Sequence, residues 1–186
     1  MKKILVVIDM QNDFITGSLG TKEAQAIVPN VIKKINEYDK IDDSVIYVTQ
    51  DTHYSNYLET QEGRNLPIKH CIKDSHGWKI QESVQKALDD YKEKHNIVCY
   101  HKETFGSNKL ADNMYIDFFD DNELYEIEFV GLCTDICVIS NVLSIKANLP
   151  EVKMIVDASC CAGVTPQSHK NALEAMKMCQ VEIINE

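Results

Sequence analysis

Six short apolar runs rich in β-branched residues punctuate the chain: KILVVID, SVIYVTQD, NIVCYH, YEIEFVG, VKMIVDA and VEIIN. Each is too brief for a helix and is bounded by polar residues, so each reads as a strand. Between them apolar positions recur at helical spacing: Lys22 to Tyr38, Lys79 to Tyr91, a segment after Ser107, Asp135 to Lys146, and Pro166 to Met178, where Pro166 suits a first helical turn. Strands this uniformly apolar need cover on both faces, which a parallel sheet with right-handed crossover helices provides. The expected fold is α/β, a three-layer α/β/α sandwich around a six-stranded, mostly parallel sheet. With 186 residues, 44% hydrophobic and 26% charged, the composition is that of an ordinary globular protein, and residues 1–186 read as a single domain. One long irregular segment runs from about residue 51 to 78, a length that in compact domains is usually functional or disordered.

The balance of 19 basic against 29 acidic residues, a net charge of -10, gives a phosphate backbone or an anionic membrane surface little to attract. Neither nucleic acid nor membrane is expected as a partner. The opening run MKKILVVIDMQNDF is cut short at Asp9, too early for a signal-peptide core or a spanning helix. Seven cysteines without an export signal point to a reducing cytoplasm, where a thiol matters through reactivity or metal binding.

Open α/β sheets bind ligands beyond the carboxyl ends of their strands. Those ends carry Asp9 after the first strand, Asp51 and His53 after the second, Lys102 after the third, and Gly131 to Cys137 after the fourth. No phosphate-binding loop or dinucleotide fingerprint follows any strand. The stretch GLCTDICV, residues 131–138, sets Cys133 and Cys137 four apart, a spacing that fits nucleophile, metal ligands or core filler alike. A disulfide switch, Cys133 with Cys137 or Cys160 with Cys161, lacks the C-x-x-C spacing. If a helix begins near Thr134 or Asp135, Cys137 lies in its first turn, where unpaired N–H groups favour a thiolate and can hold an oxyanion. Asp9 can then accept the thiol proton and Lys102 can supply positive charge. The ordinary alternatives are a turn cap, a solvated strand-end lysine and a small core residue. In the long segment, QDTH and LPIKHC offer Asp51, His53 and His70, one carboxylate and two imidazoles that suit Zn²⁺, Mn²⁺ or Fe²⁺ in a site with open positions.

Together VIDMQNDF (7–14), the lysine of HKETFGS (101–107) and GLCTDICV (131–138) resemble the isochorismatase-like cysteine hydrolases, in the same order and over most of the chain. The resemblance implies that family's hydrolase fold, a catalytic triad of Asp9, Lys102 and Cys137, a cis peptide between Leu132 and Cys133, and an oxyanion hole from the N–H groups of Cys133 and Cys137. The D-x-H element followed by a later histidine is similar to the metal site of the nicotinamidase subfamily. That likeness implies one divalent ion, zinc first with manganese or iron as alternatives, on Asp51, His53 and His70, with Glu62 as a further ligand and Glu59 its alternative. Many members read D-W-H where this chain has Asp51-Thr52-His53, which bears on pocket shape. Phe14 falls at the substrate-wall position, and Phe105, Tyr54, Tyr57 and Trp78 are further aromatic candidates. His101 stands beside Lys102, whereas His76, His95 and His169 read as surface or helix-end residues. The implied activity is hydrolysis of nicotinamide or a similar aromatic carboxamide to the acid and ammonia through a cysteine thioester. The alternative is another amide or a carbamoyl substrate. The implied partners are that small-molecule amide and further copies of the chain, as a homo-oligomeric dimer or tetramer.

Overall fold

All six apolar runs enter one sheet. Its strands are β1 (Lys2–Ile8), β2 (Ser44–Asp51), β3 (Asn96–Lys102), β4 (Tyr125–Leu132), β5 (Lys153–Ala162) and β6 (Glu182–Ile184), in a computed structural model that describes residues 2–121 and 125–186. They lie in the order β3-β2-β1-β4-β5-β6, and every neighbouring pair is parallel. The helices are α1 (Asn12–Ile15), α2 (Lys22–Tyr38), α3 (Gln61–Asn65), α4 (Glu82–Lys92), α5 (Asn108–Asp121), α6 (Ile139–Asn148) and α7 (Pro166–Met178).

The period of two along β1 shows why this strand is apolar throughout. Ile4, Val6 and Ile8 enter one core with Leu110 and Met114 of α5, Val142 and Ile145 of α6, and Leu173 and Met176 of α7. Leu5 and Val7 enter the opposite core with Val31 and Ile35 of α2 and with Val84 and Leu88 of α4. Both faces are thus covered, and each such aliphatic side chain contributes about 1.5–3 kcal/mol on burial. Cys161 belongs to the first core and Cys160 to the second, so the vicinal thiols point to opposite faces, and all seven cysteines are free.

Two helix starts differ from the sequence expectation. The helix expected from Lys79 begins at Glu82, because Ile80 bridges Gln11 in an antiparallel pair and Gln81 caps the helix by accepting from Ser83 N at 2.9 Å and Val84 N at 3.1 Å. The helix expected from Asp135 starts as a π-helical turn, Thr134–Val138, before α6. No described helix is long and apolar enough to cross a membrane.

The chain adds strands outward from β1 to β3, then returns to add β4, β5 and β6 on the other side of β1. The strand order therefore reverses between β1 and β4, where sheets of this kind open a ligand crevice. Gly131 makes that junction close: its φ is 121°, and a Cβ there would lie 2.0 Å from the carbonyl oxygen of Ile8.

Candidate active site

Immediately after β1 the backbone turns at Asp9 with φ at 49°, which aims the carboxylate into the crevice floor, where it is fully buried. Thr49 of β2 donates its hydroxyl to Asp9 Oδ1 at 2.7 Å, and Lys102 Nζ, from the end of β3, lies 2.6 Å from Oδ2. The same ammonium is 3.5 Å from Cys137 Sγ and 3.7 Å from Asp51 Oδ1. Asp9, Lys102 and Cys137, far apart in sequence, therefore meet. Burial pushes the Asp9 carboxyl up, with Lys102 only partly offsetting it. Burial works against the charge on Lys102 too, but Asp9, Cys137 and Asp51 outweigh it and raise the ammonium pKa. Burial also raises the Cys137 thiol well above 9.0, against the pull of Lys102. Burial therefore opposes the thiolate that the helix start was expected to favour, and the Asp9 carboxylate adds to that rise.

The turn carrying the thiol has a specific backbone pattern. The Leu132–Cys133 peptide is cis. Beyond it the Cys133 carbonyl accepts the N–H groups of Ile136 and Val138, both at 3.0 Å, and passes over the Cys137 N–H between them. Single π-helical turns of this kind gather at functional sites. His169, read from sequence as a surface or helix-end residue, lies in the first turn of α7, half-buried behind the π-helical turn with its Nδ1 2.8 Å from the Thr134 hydroxyl. His101 lies with its ring 5.1 Å from Trp78, and His95 stacks on Tyr91 at 4.5 Å.

A second cluster forms where the long segment returns to β2. His53 N donates to Cys71 O at 2.9 Å and Lys73 N to His53 O at 2.8 Å, a short parallel bridge that sets His53 beside His70. Ligand atoms of Asp51, His53 and His70 lie within 4.8 Å of one another, all on buried residues. His53 Nε2 is 3.0 Å from Asp51 Oδ2 and 3.5 Å from Glu62 Oε1; His70 Nε2 is 3.5 Å and 3.6 Å from the same atoms. Glu62, on α3, therefore joins the cluster, whereas no ion pair links Glu59 to these histidines among the described residues. The pocket fits a divalent cation on three counts: two imidazoles and two carboxylates converge, buried His53 Nε2 lacks a hydrogen-bond partner, and His70 Nδ1 at 2.9 Å from Ile68 O leaves its Nε2 lone pair facing the cluster. Without a cation, burial opposes protonation of both rings, but the carboxylates win and raise His53 to about 9 and His70 to about 10. Burial likewise opposes ionisation of Glu62, which the two histidines lower to about 2.

The polar residues between Asp9 and Phe14 connect the two clusters. Buried Gln11 accepts from Asp51 N at 2.7 Å and donates to Asp51 O and Trp78 O, both at 2.8 Å. Asp13 Oδ2 accepts the N–H of Cys71, next to His70, at 2.7 Å. These roles and that of Thr49 were missed in sequence, although a polar residue inside an apolar strand, as at Thr49, is the kind of signal that marks a buried partner. A cavity of about 400 Å³ opens onto both clusters, lined by Phe14, Asp51, Glu62, His70, Phe105 and Cys137 among others. The Phe14 ring lies 5.6 Å from that of His70. Tyr57 is buried with its ring 4.6 Å and 5.0 Å from His53 and His70, supporting the ligands rather than lining the cavity. Trp78 donates its indole N–H to Thr52 Oγ1 at 2.9 Å, and Tyr54 is exposed on an adjoining cleft.

The family model described as the isochorismatase domain matches residues 3–186. The chain belongs to the isochorismatase family. Among isochorismatase-family relatives, the nicotinamidase of Escherichia coli is 28% identical, over 95% of this chain and 90% of its own length. Two solved structures share the isochorismatase-family fold over the whole of both chains. The nicotinamidase/pyrazinamidase of Bacillus subtilis superposes with a TM-score of 0.82 at 20% identity. The pyrazinamidase of Pyrococcus horikoshii, solved in complex with zinc, superposes with a TM-score of 0.75 at 22% identity.

Proposed function

We propose that this chain is a metal-dependent amidohydrolase that converts nicotinamide, or a closely similar aromatic carboxamide, to the acid and ammonia. The observation that carries this reading is that one cavity is lined both by Cys137 and by the Asp51, His70 and Glu62 carboxylate–imidazole cluster. The likeness to nicotinamidases supports the substrate class, and the zinc in the Pyrococcus relative supports zinc over manganese or iron. The reading further takes residues 1–186 as one isochorismatase-like cysteine hydrolase domain, acting in the cytoplasm as a dimer or tetramer.

In the proposed reaction Asp9 takes the thiol proton as Cys137 Sγ attacks the carboxamide carbon, and Lys102 balances the charge of both. The oxyanion rests on the N–H groups of Cys133 and Cys137. The proton returns from Asp9 to the departing nitrogen, ammonia leaves, and a water deprotonated by Asp9 hydrolyses the thioester. Phe14 and Phe105 offer aromatic faces to a planar ring, worth about 1 kcal/mol by offset stacking. A divalent cation held by Asp51, His53, His70 and Glu62 would supply a Lewis-acid contact for a ring nitrogen. A carbamoyl or aliphatic amide would leave that cluster without a use, which favours the aromatic substrate. The test is ammonia release from nicotinamide before chelation, after it, and after metal is restored; activity that chelation leaves intact would sink the metal-dependent reading.

A further inference from the structure

We propose that Asn141 is a positioning residue for substrate discrimination, holding the Phe105 wall at a fixed distance from Cys137 and so favouring flat aromatic amides over small aliphatic ones. The inference rests on the reading of Cys137 as nucleophile and Phe105 as a substrate wall. Asn141 lies on α6 one turn beyond Cys137 and has no exposed surface. Its Nδ2 donates to Cys137 O at 2.8 Å and to Phe105 O at 3.3 Å, while its Oδ1 accepts from Ser107 N at 2.9 Å. One amide therefore ties the nucleophile turn to the carbonyl of Phe105 and to the N–H of Ser107, the groups on either side of Gly106.

Beyond a local bond from Thr104 Oγ1 to Gly106 O at 2.6 Å and the cap of α5 at Ser107, Phe105 itself is held by little side-chain packing. Its side chain lines the cavity, yet the residue is 49% exposed, so core packing does not set its position. Gly106 sits so near α6 that a Cβ would come 3.2 Å from the Ser140 carbonyl oxygen, which shows the segment lying directly on the helix that carries Asn141. A wall hung by hydrogen bonds from the nucleophile's own helix keeps register with the sulfur. Displacement by even about 1 Å is enough to spoil the approach of a planar substrate.

Two substitutions separate the hold on the wall from the hold on the turn. Asn141→Leu keeps the volume and loses every bond. Asn141→Ser keeps a hydroxyl able to reach the carbonyl four residues back, as Ser144 does to Ser140 O at 2.7 Å on this same helix, but cannot span to Phe105 and Ser107. The measurement is the rate of Cys137 alkylation by N-(3-pyridyl)chloroacetamide relative to iodoacetamide, on metal-loaded protein, alongside kcat and KM for nicotinamide. Both variants are expected to lower the aromatic preference about fivefold to tenfold, the worth of one lost hydrogen bond, and to raise KM by a similar factor, while Asn141→Ser, which keeps the bond to the turn, leaves the iodoacetamide rate within about twofold. Adding Phe105→Ala to either variant is expected to lower the preference no further. An unchanged preference in Asn141→Ser, or losses that multiply when Phe105→Ala is added, would overturn the inference, and Asn141→Ser decides it if the leucine variant does not fold. Wild-type protein that shows the aromatic preference but releases no ammonia from nicotinamide would overturn the functional reading alone.

Discussion

Lys102 faces Asp9, Asp51 and Cys137 at once, and the balance among those groups determines how the site titrates. Asp9 accepts a proton only when ionised, and burial has raised its pKa above the ordinary 3.8. As pH falls, kcat/KM should therefore decline through an acid limb lying above 3.8, and a limb at or below that value would count against Asp9 as the base. Cys137→Ala should remove measurable turnover while retaining the metal, as metal analysis of the purified variant would show. Both imidazoles of the metal cluster must be neutral to ligate, whereas without a cation they titrate at about 9 and about 10. Metal binding near pH 7 should therefore release protons, and affinity should rise with pH until those values are passed; calorimetry in buffers of different ionisation enthalpy would reveal a proton-free reaction if this is wrong. The positions of Asp9 and Lys102 were legible because each stands at the end of a plain apolar run, and that of Cys137 because its motif follows the fourth such run. Gln11, Thr49 and Asn141 could not be given their distant partners, because Asp51, Asp9 and Ser107 lie 40, 40 and 34 residues away and only the fold joins them.

At the level of elements, the turn after β4 concentrates the constraint. Gly131 closes on Ile8 so tightly that any side chain must displace β1 or β4, which carry Asp9 and the cysteine turn respectively. Gly131→Ala should destabilise the protein by about 3 kcal/mol or more and lower kcat disproportionately, measured by urea unfolding alongside turnover. Strand and helix identities followed from periodicity, which reports burial faithfully. The π-helical turn did not, since a period of 3.6 continues through Ile136, Ile139 and Val142 with no sign of the extra residue. The segment from residue 51 to 78 read as irregular, yet it holds a β-bridge, a 3₁₀ turn at Tyr57–Glu59 and α3, capped by Thr60 Oγ1 accepting from Gly63 N at 3.0 Å. Pieces this short carry no periodic signal, and their order comes from contacts with His53 and His70 and with Gln11 and Asp13.

Across the whole molecule, polar atoms inside the sheet sandwich are not confined to the crevice between β1 and β4. Lys34 of α2 pairs with Glu128 of β4 at 2.7 Å and Asp157 of β5 at 2.9 Å, and Tyr38 donates to Glu128 Oε2 at 3.0 Å. Lys34→Met should cost about 3 kcal/mol, because it removes the cation set between two buried carboxylates and leaves them to neutral donors, and thermal unfolding would report it with turnover little changed. Burial opposes ionisation of Asp157, but bonds from Lys34 and Ser159 win and lower its pKa. Its contribution to stability is therefore complete above the ordinary 3.8 and lost as pH falls through the depressed value. Sequence alone supplied the two-sided sandwich and the strand-end site, while the pairing of α2 with β4 and β5 emerged only with the strand order. That order also places the proposed metal ligands on the β2 side of β1 and the proposed nucleophile on the β4 side, with the segment after β1 between them. Asp9 serves one side and Gln11, two residues on, grips the main chain of the other. Divergence among relatives should therefore be lopsided: the metal loop can be rebuilt for a new ring shape while Gln11 keeps its grip on Asp51, but no change within the loop can make good a substitution at Gln11.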